Sequence, residues 1–153
     1  MTVQVEVLDQ VTGEVVEAFR RLIPQLSRSA GPPTQESLEA VVGCPANTVL
    51  LARSSGTITG TMTLVMFPIP TGVRAWIEDV VVDESARGQG TAEAMMRESL
   101  RIAREAGART VDLTSRASRE AAGRLYERVG FQSRETRAYR YAFAEAAVAR
   151  PAR

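Results

Sequence analysis

The stretch Val80-Val81-Val82-Asp83-Glu84-Ser85-Ala86-Arg87-Gly88-Gln89-Gly90-Thr91-Ala92 constrains the fold of this chain more than any other. A β-branched run stops at acidic and small residues, a glycine-containing turn follows, and a helical pattern begins at once. A strand fed into a helix this way leaves the first N–H groups of the helix without intrahelical partners. They point at one spot, where the helix dipole adds partial positive charge. Such a spot suits phosphate. The sequence therefore predicts a strand–turn–helix unit with an anion cradle in its middle.

The flanking patterns place this unit in a sheet. Residues 2–8 alternate and read as a strand. Residues 11–27 carry Val15, Val16, Phe19, Leu22, Ile23 and Leu26 at helical spacing, with Pro24 expected to kink or end the helix. Thr34 is the expected N-cap of a short helix through Val42. Residues 48–53 and 57–67 read as a hairpin about Ser54-Ser55-Gly56, with Gly60 marking a bulge or bend. A strand over 74–82 leads into the opening unit, whose helix runs from Gly90 to Ala106. A short strand over 109–114 follows, then a helix capped by Ser118 and stopped by Gly130. From Phe131 onward Tyr139, Tyr141 and Phe143 alternate, which predicts a last strand. The order βααβββαβαβ implies an α+β fold with a mixed, mostly antiparallel sheet. At 153 residues one domain is expected, over 1–143, with 144–153 a frayed tail of small residues and arginines.

Composition narrows the chemistry. The chain has no histidine, which removes Ser-His-Asp triads, Cys-His dyads and His-ligated metals, and no metal is expected. Proton transfer must use carboxylates, tyrosine, amines or water. The net charge of +1 gives no case for nucleic acid or an anionic membrane. Arginines crowd the C-terminal third, and a solvated face accounts for most of them. The one cysteine, Cys44, has no base beside it and suits a reducing, cytoplasmic setting. No run resembles a signal peptide or a membrane span.

Three ligand classes could use the phosphate turn. A Walker-type loop needs a lysine after its last glycine, and Gly90 is followed by Thr91. A dinucleotide fingerprint needs a third glycine where Glu93 stands. The third class comes by resemblance. Arg87-Gly88-Gln89-Gly90-Thr91-Ala92 is similar to the R/Q-x-x-G-x-G/A motif of the GNAT N-acetyltransferase superfamily, with Ala92 in place of the more usual glycine. Leu125-Tyr126-Glu127-Arg128-Val129-Gly130-Phe131 resembles that family's late L-Y-x-x-x-G-F signature. Both motifs stand in the family's order, with the right elements between them, over about residues 48–141.

The resemblance implies a fold with a splayed pair of central strands, acetyl-CoA as co-substrate and an amine acceptor, small molecule or peptide. It implies pyrophosphate on the backbone of Arg87, Gly88, Gln89, Gly90, Thr91 and Ala92. It also implies pantetheine along Val80, Val81 and Val82, whose unpaired backbone groups would bond the cofactor's amides. Tyr126 would protonate the leaving thiolate. Arg119 stands where many members carry asparagine; it cannot accept a hydrogen bond, but could meet a CoA phosphate.

Amine acetylation needs a neutral nucleophile, so a protonated amine must first lose its proton to a side chain or to water, and the family often uses a glutamate in this region. Glu78 and Asp79 are neighbours on the central strand and so are expected on opposite faces, Glu78 with Val80 and Val82, and Asp79 with Val81. Glu78 is the chosen base, acting through water; Asp79, Asp112 and Ser115 are the other candidates, and Trp76 could wall the cleft. The expected reaction is direct attack with no acyl-enzyme. The alternatives are a longer acyl-CoA, another acceptor, or a non-catalytic acyl-CoA sensor. By analogy, two copies could pair through the last strands.

Overall fold

A computed structural model describes residues 2–116 and 119–143 of the protein. The expected cap Ser118 and the tail 144–153 lie outside the described residues. The elements are β1 (Val3–Val7), α1 (Gly13–Leu26), α2 (Gln35–Gly43), β2 (Asn47–Ser54), β3 (Thr57–Ile69), β4 (Gly72–Val82), α3 (Thr91–Glu105), β5 (Thr110–Asp112) and α4 (Glu120–Val129), with one 3-10 turn over Glu84–Ala86.

The five strands form one sheet in the order β1-β2-β3-β4-β5. The first four run antiparallel and β5 joins β4 in parallel. Ser55 (φ 50) and Gly56 (φ 81) both adopt left-handed backbone, as a two-residue hairpin turn requires. The expected bulge near Gly60 is present: Ala52 pairs with Gly60 and Arg53 with Ile58, leaving Thr59 extra.

Helices cover both faces. Thr12 caps α1, its side chain accepting from the Val15 N–H at 3.3 Å. Thr34 and Ser37 cap α2 reciprocally. Val15, Val16, Phe19 and Leu22 of α1 pack with Leu38 of α2 on Val49, Leu51, Ile58 and Val81. On the other face Met95, Met96 and Ala103 of α3 pack on Leu50, Ala52, Met62, Leu64, Ala75 and Ile77. Alternate residues of β2 thus enter opposite cores, which is why Val49 to Ala52 is an unbroken apolar run. Pro24 ends α1 within a turn, at Leu26.

Two expectations fail. β5 stops at Asp112 instead of continuing to Thr114. No strand follows α4 among the described residues; Tyr139, Tyr141 and Phe143 are 89%, 85% and 73% exposed. Alternation marks a segment able to be a strand, but a strand also needs a neighbouring edge, and here none pairs with it. The surface expected to join two copies is therefore not a strand of the monomer.

Candidate active site

The sheet opens between β4 and β5. Arg74, Ala75 and Trp76 pair with Thr110, Val111 and Asp112, and there the ladder ends. β4 runs on to Val82 with no strand on that side, so backbone groups over 77–82 are open along one edge. This is the splay that the fold implied.

The open edge leads into the cradle. Gly88 (φ 78) and Gly90 (φ 80) are left-handed, a conformation that glycine adopts without a Cβ penalty. Gly90 is the N-cap of α3 and supplies no side chain to cap it. The first intrahelical bond is from Ala94 N–H to the Gly90 carbonyl at 3.0 Å, which leaves the N–H groups of Thr91, Ala92 and Glu93 facing the turn. Thr91 is 2% exposed and its Oγ1 is the only buried side-chain polar atom without a hydrogen-bond partner among the described residues. An unpaired buried hydroxyl costs about 1–3 kcal/mol. The Thr91 side chain packs toward Gly60, so the donors left for a ligand are backbone N–H groups, the kind that phosphate oxygens accept from, and the turn fits a pyrophosphate.

Glu93 would oppose an anion here, but it is engaged elsewhere. Arg128 Nε of α4 lies 2.9 Å from Glu93 Oε1, and Arg97 Nε lies 3.5 Å from Oε2. The Arg128 hydrogen bond holds the Glu93 carboxyl below its usual range. Arg87 is exposed and its Nε donates to the Val82 carbonyl at 3.4 Å, so it closes the strand end as well as facing the turn. Gln89 is exposed and Ala92 half-buried.

Gly60 has a role the sequence did not disclose. A Cβ there would meet Met95 Cε at 3.0 Å, Thr91 Cγ2 at 3.2 Å and the Val81 carbonyl oxygen at 3.2 Å. The missing side chain lets the first turn of α3 lie directly on β3, which sets the position of the cradle.

The expected facing of the carboxylates is overturned by a second bulge. Thr63 pairs with Glu78 and Thr61 with Val81, so Asp79 and Val80 together oppose Met62. Asp79 sits at φ 51, the left-handed conformation that aspartate tolerates better than most residues. The bulge reverses the alternation beyond it. Ala75 and Ile77 enter the α3-side core, so Trp76 and Glu78 point to the α1 side. Val81 enters the α1-side core, whereas Val80 and Val82 pack against the α3-side core. Glu78 thus shares a face with Val81, not with Val80 and Val82.

That face is only partly covered. Val111 packs on the α3 side, so Asp112 points with Trp76, its partner in register, toward the α1 side. Thr63, Val65 and Phe67 of β3 join them by the same alternation. Glu78 is exposed and the others are half-buried, which leaves a shelf with an apolar floor and two carboxylates. Neither Glu78 nor Asp79 meets a hydrogen-bond donor or cation among the described residues. Ser115 is exposed beyond β5.

Tyr126 lies on α4 and packs with Val129 against the α3-side core, its ring edge-on to Phe131 at 6.0 Å. Leu125 beside it is half-buried, and it is Tyr126 that packs against that core. Burial pushes the Tyr126 phenol above 10.0, and the charge of Arg119 pulls the other way. Arg119 is the exposed N-cap residue of α4, so its charge lies on the Tyr126 side of the site. No group of three or more Cys, Asp or Glu able to hold a metal occurs among the described residues, and no helix there is long and apolar enough to cross a membrane.

Comparison with known proteins agrees with this geometry. The chain is 26% identical to an acetyltransferase of Trypanosoma brucei, covering 93% of this chain and 100% of that one at a TM-score of 0.75. It shares its fold with glucosamine-6-phosphate N-acetyltransferase of Arabidopsis thaliana (19% identity, 92% and 99% covered, TM-score 0.74). The same holds for ribosomal-protein-alanine N-acetyltransferase of Brucella melitensis (21% identity, 94% and 100% covered, TM-score 0.76). No curated protein sequence matches the chain. The model of the acetyltransferase (GNAT) family matches residues 16–131, the span that holds the open edge, the cradle and Tyr126. The protein therefore belongs to the acetyltransferase (GNAT) family, whose members use acetyl-CoA as co-substrate.

Proposed function

We propose that the protein transfers the acetyl group of acetyl-CoA to a primary amine by direct attack. The observation that carries this reading is the continuity of the open β4 edge with the uncapped N-terminus of α3. The first can take an extended chain of amides as an added strand would. The second can take its phosphates.

In this reading the backbone of 88–93 holds the pyrophosphate, and Val80 and Val82 lend backbone groups to the pantetheine. That puts the thioester near the Asp79 bulge, at the edge of the shelf bearing Trp76, Glu78 and Asp112. Glu78 takes a proton from the acceptor ammonium through water, because only the neutral amine has a lone pair to attack with. A backbone N–H near Val80 meets the charge developing on the acetyl oxygen. Tyr126 gives its proton to the departing sulfur; its raised pKa keeps it protonated for that task. Direct transfer suits the residues, since Cys44 is exposed at the C-terminal end of α2 and the chain has no histidine to act as its base. The acceptor is a small molecule or a peptide amine, and two carboxylates on the shelf favour one that carries positive charge. A reducing, cytoplasmic setting completes the proposal.

Thiol release from acetyl-CoA, followed across a panel of amines, tests it. Turnover with at least one amine, absent without acceptor, is expected. Tight CoA binding with no turnover on any amine would make the chain an acyl-CoA sensor instead.

A further inference from the structure

The turn between β4 and the cradle is tied to a helix on the opposite side of the site. Asp83 and Glu84 are the first residues after β4. Arg21 of α1 reaches them: its Nε donates to Asp83 Oδ2 at 2.9 Å and its Nη2 donates to the Ile58 carbonyl at 2.6 Å. One turn further along α1, Gln25 accepts the Glu84 N–H on its Oε1 at 3.0 Å and donates from Nε2 to the Arg21 carbonyl at 3.2 Å. Asp83 in turn accepts from the Ser85 N–H and hydroxyl, both at 3.2 Å, and its own N–H donates to the Thr59 carbonyl at 2.8 Å.

The tie differs from the surface ion pairs of the molecule. The Asp83 side chain is 15% exposed, against 31% or more for the other carboxylates paired with an arginine among the described residues. Burial pushes the Asp83 carboxyl up, but the hydrogen bonds from Ser85 and Arg21 outweigh it and hold the group below its usual range. The pair spans 62 positions of sequence and ties α1 to the turn after β4; the pairs that also join separate elements, Arg53 with Glu6 and Glu14 and Arg128 with Glu93, do not reach that turn. The first turn of α3, seated on β3 at Gly60, anchors one side of the cradle, and this tie anchors the chain that enters it. Gly88, Gln89 and Gly90 are exposed, and the two glycines have no contacting atoms where a side chain would be.

We infer that Arg21 and Gln25 are positioning residues for CoA: held on α1, they fix Asp83 and Glu84, and through them the entry of the chain into the phosphate cradle. α1 is thereby coupled to the cofactor site without touching the cofactor. Whatever shifts α1 on the acceptor side changes CoA affinity, and by reciprocity bound CoA stiffens α1. This inference rests on the cradle being the CoA site.

The test compares Arg21→Met, Arg21→Lys and Gln25→Ala with the intact protein. CoA binding is read by calorimetry, acetyl-CoA KM and kcat by thiol release, and folding by thermal melting. Arg21→Met is expected to weaken CoA binding and raise KM about three- to tenfold, the scale of one partly screened charge-assisted hydrogen bond, with kcat little changed. Arg21→Lys keeps the charge and should recover most of the affinity. Gln25→Ala should show the same KM effect at smaller size, and stands if Arg21→Met does not fold. Unchanged CoA affinity in folded Arg21→Met and Gln25→Ala would overturn the inference. So would a fall in kcat that tracks melting temperature and is not rescued by lysine, because that describes a merely structural contact. An intact protein that binds no CoA would remove the functional reading, and this inference with it.

Discussion

The proposed role of Tyr126 as general acid rests on the position that α4 gives it. A phenol on a solvated helix face would titrate near its reference value; packed on the α3-side core beside Phe131 it is held protonated to higher pH. A general acid acts only in its protonated form, so activity is lost as pH rises through its pKa. Burial raises that pKa, so the alkaline limb of kcat due to Tyr126 should lie above the range of an ordinary tyrosine. Tyr126→Phe should lower kcat about a hundredfold with acetyl-CoA KM nearly unchanged. An unaltered kcat would remove Tyr126 from the role of acid. Glu78→Gln should also reduce kcat, while Asp79→Asn should act mainly through the backbone of its bulge. The sequence named both carboxylates but misjudged their faces. It did so because alternation is read on an unbroken strand, and the bulge opposite Met62 carries no glycine to announce it.

At the scale of elements, the site is a matter of how closely α3 approaches β3. Gly60 is the residue that permits this, with Met95, Thr91 and Val81 all within 3.2 Å of where its Cβ would be. The tip of Met95 can move aside, but the Val81 carbonyl belongs to β4 and Thr91 to the cradle. Gly60→Ala should therefore destabilise the fold by about 1–3 kcal/mol. It should also weaken CoA binding more than an equally destabilising change in the α1-side core, such as Leu38→Ala. Equal CoA affinity in the two variants, measured by calorimetry at a temperature where both are folded, would show that the approach of α3 does not set the cradle. Here too the sequence was half legible. The glycine turn at 88–90, the Ser55-Gly56 hairpin and the cap at Thr34 are local signals and were readable as such. The packing reason for Gly60 and the reach of Arg21 to Asp83 are tertiary, and no local pattern carries them. The last strand shows the converse: a strong local alternation at Tyr139, Tyr141 and Phe143 that no neighbouring edge converts into structure.

For the whole molecule, two cores on either side of one sheet leave an opening between β4 and β5, with the cradle at one end and the carboxylate shelf at its side. In the proposed reading the donor side is built from backbone and glycine, and two short motifs carry its resemblance to the family. The proposed acceptor side is built from side chains spread over β3, β4 and β5, and its shape follows from register and bulges. The most direct measurement is an NMR titration of the assigned backbone amides with CoA. The account predicts shifts concentrated at residues 77–82 and 88–93, with smaller ones around Tyr126. No shifts, or shifts confined to the separate cavity beside Asp9, Val11 and Val42 at the start of α1, would contradict it.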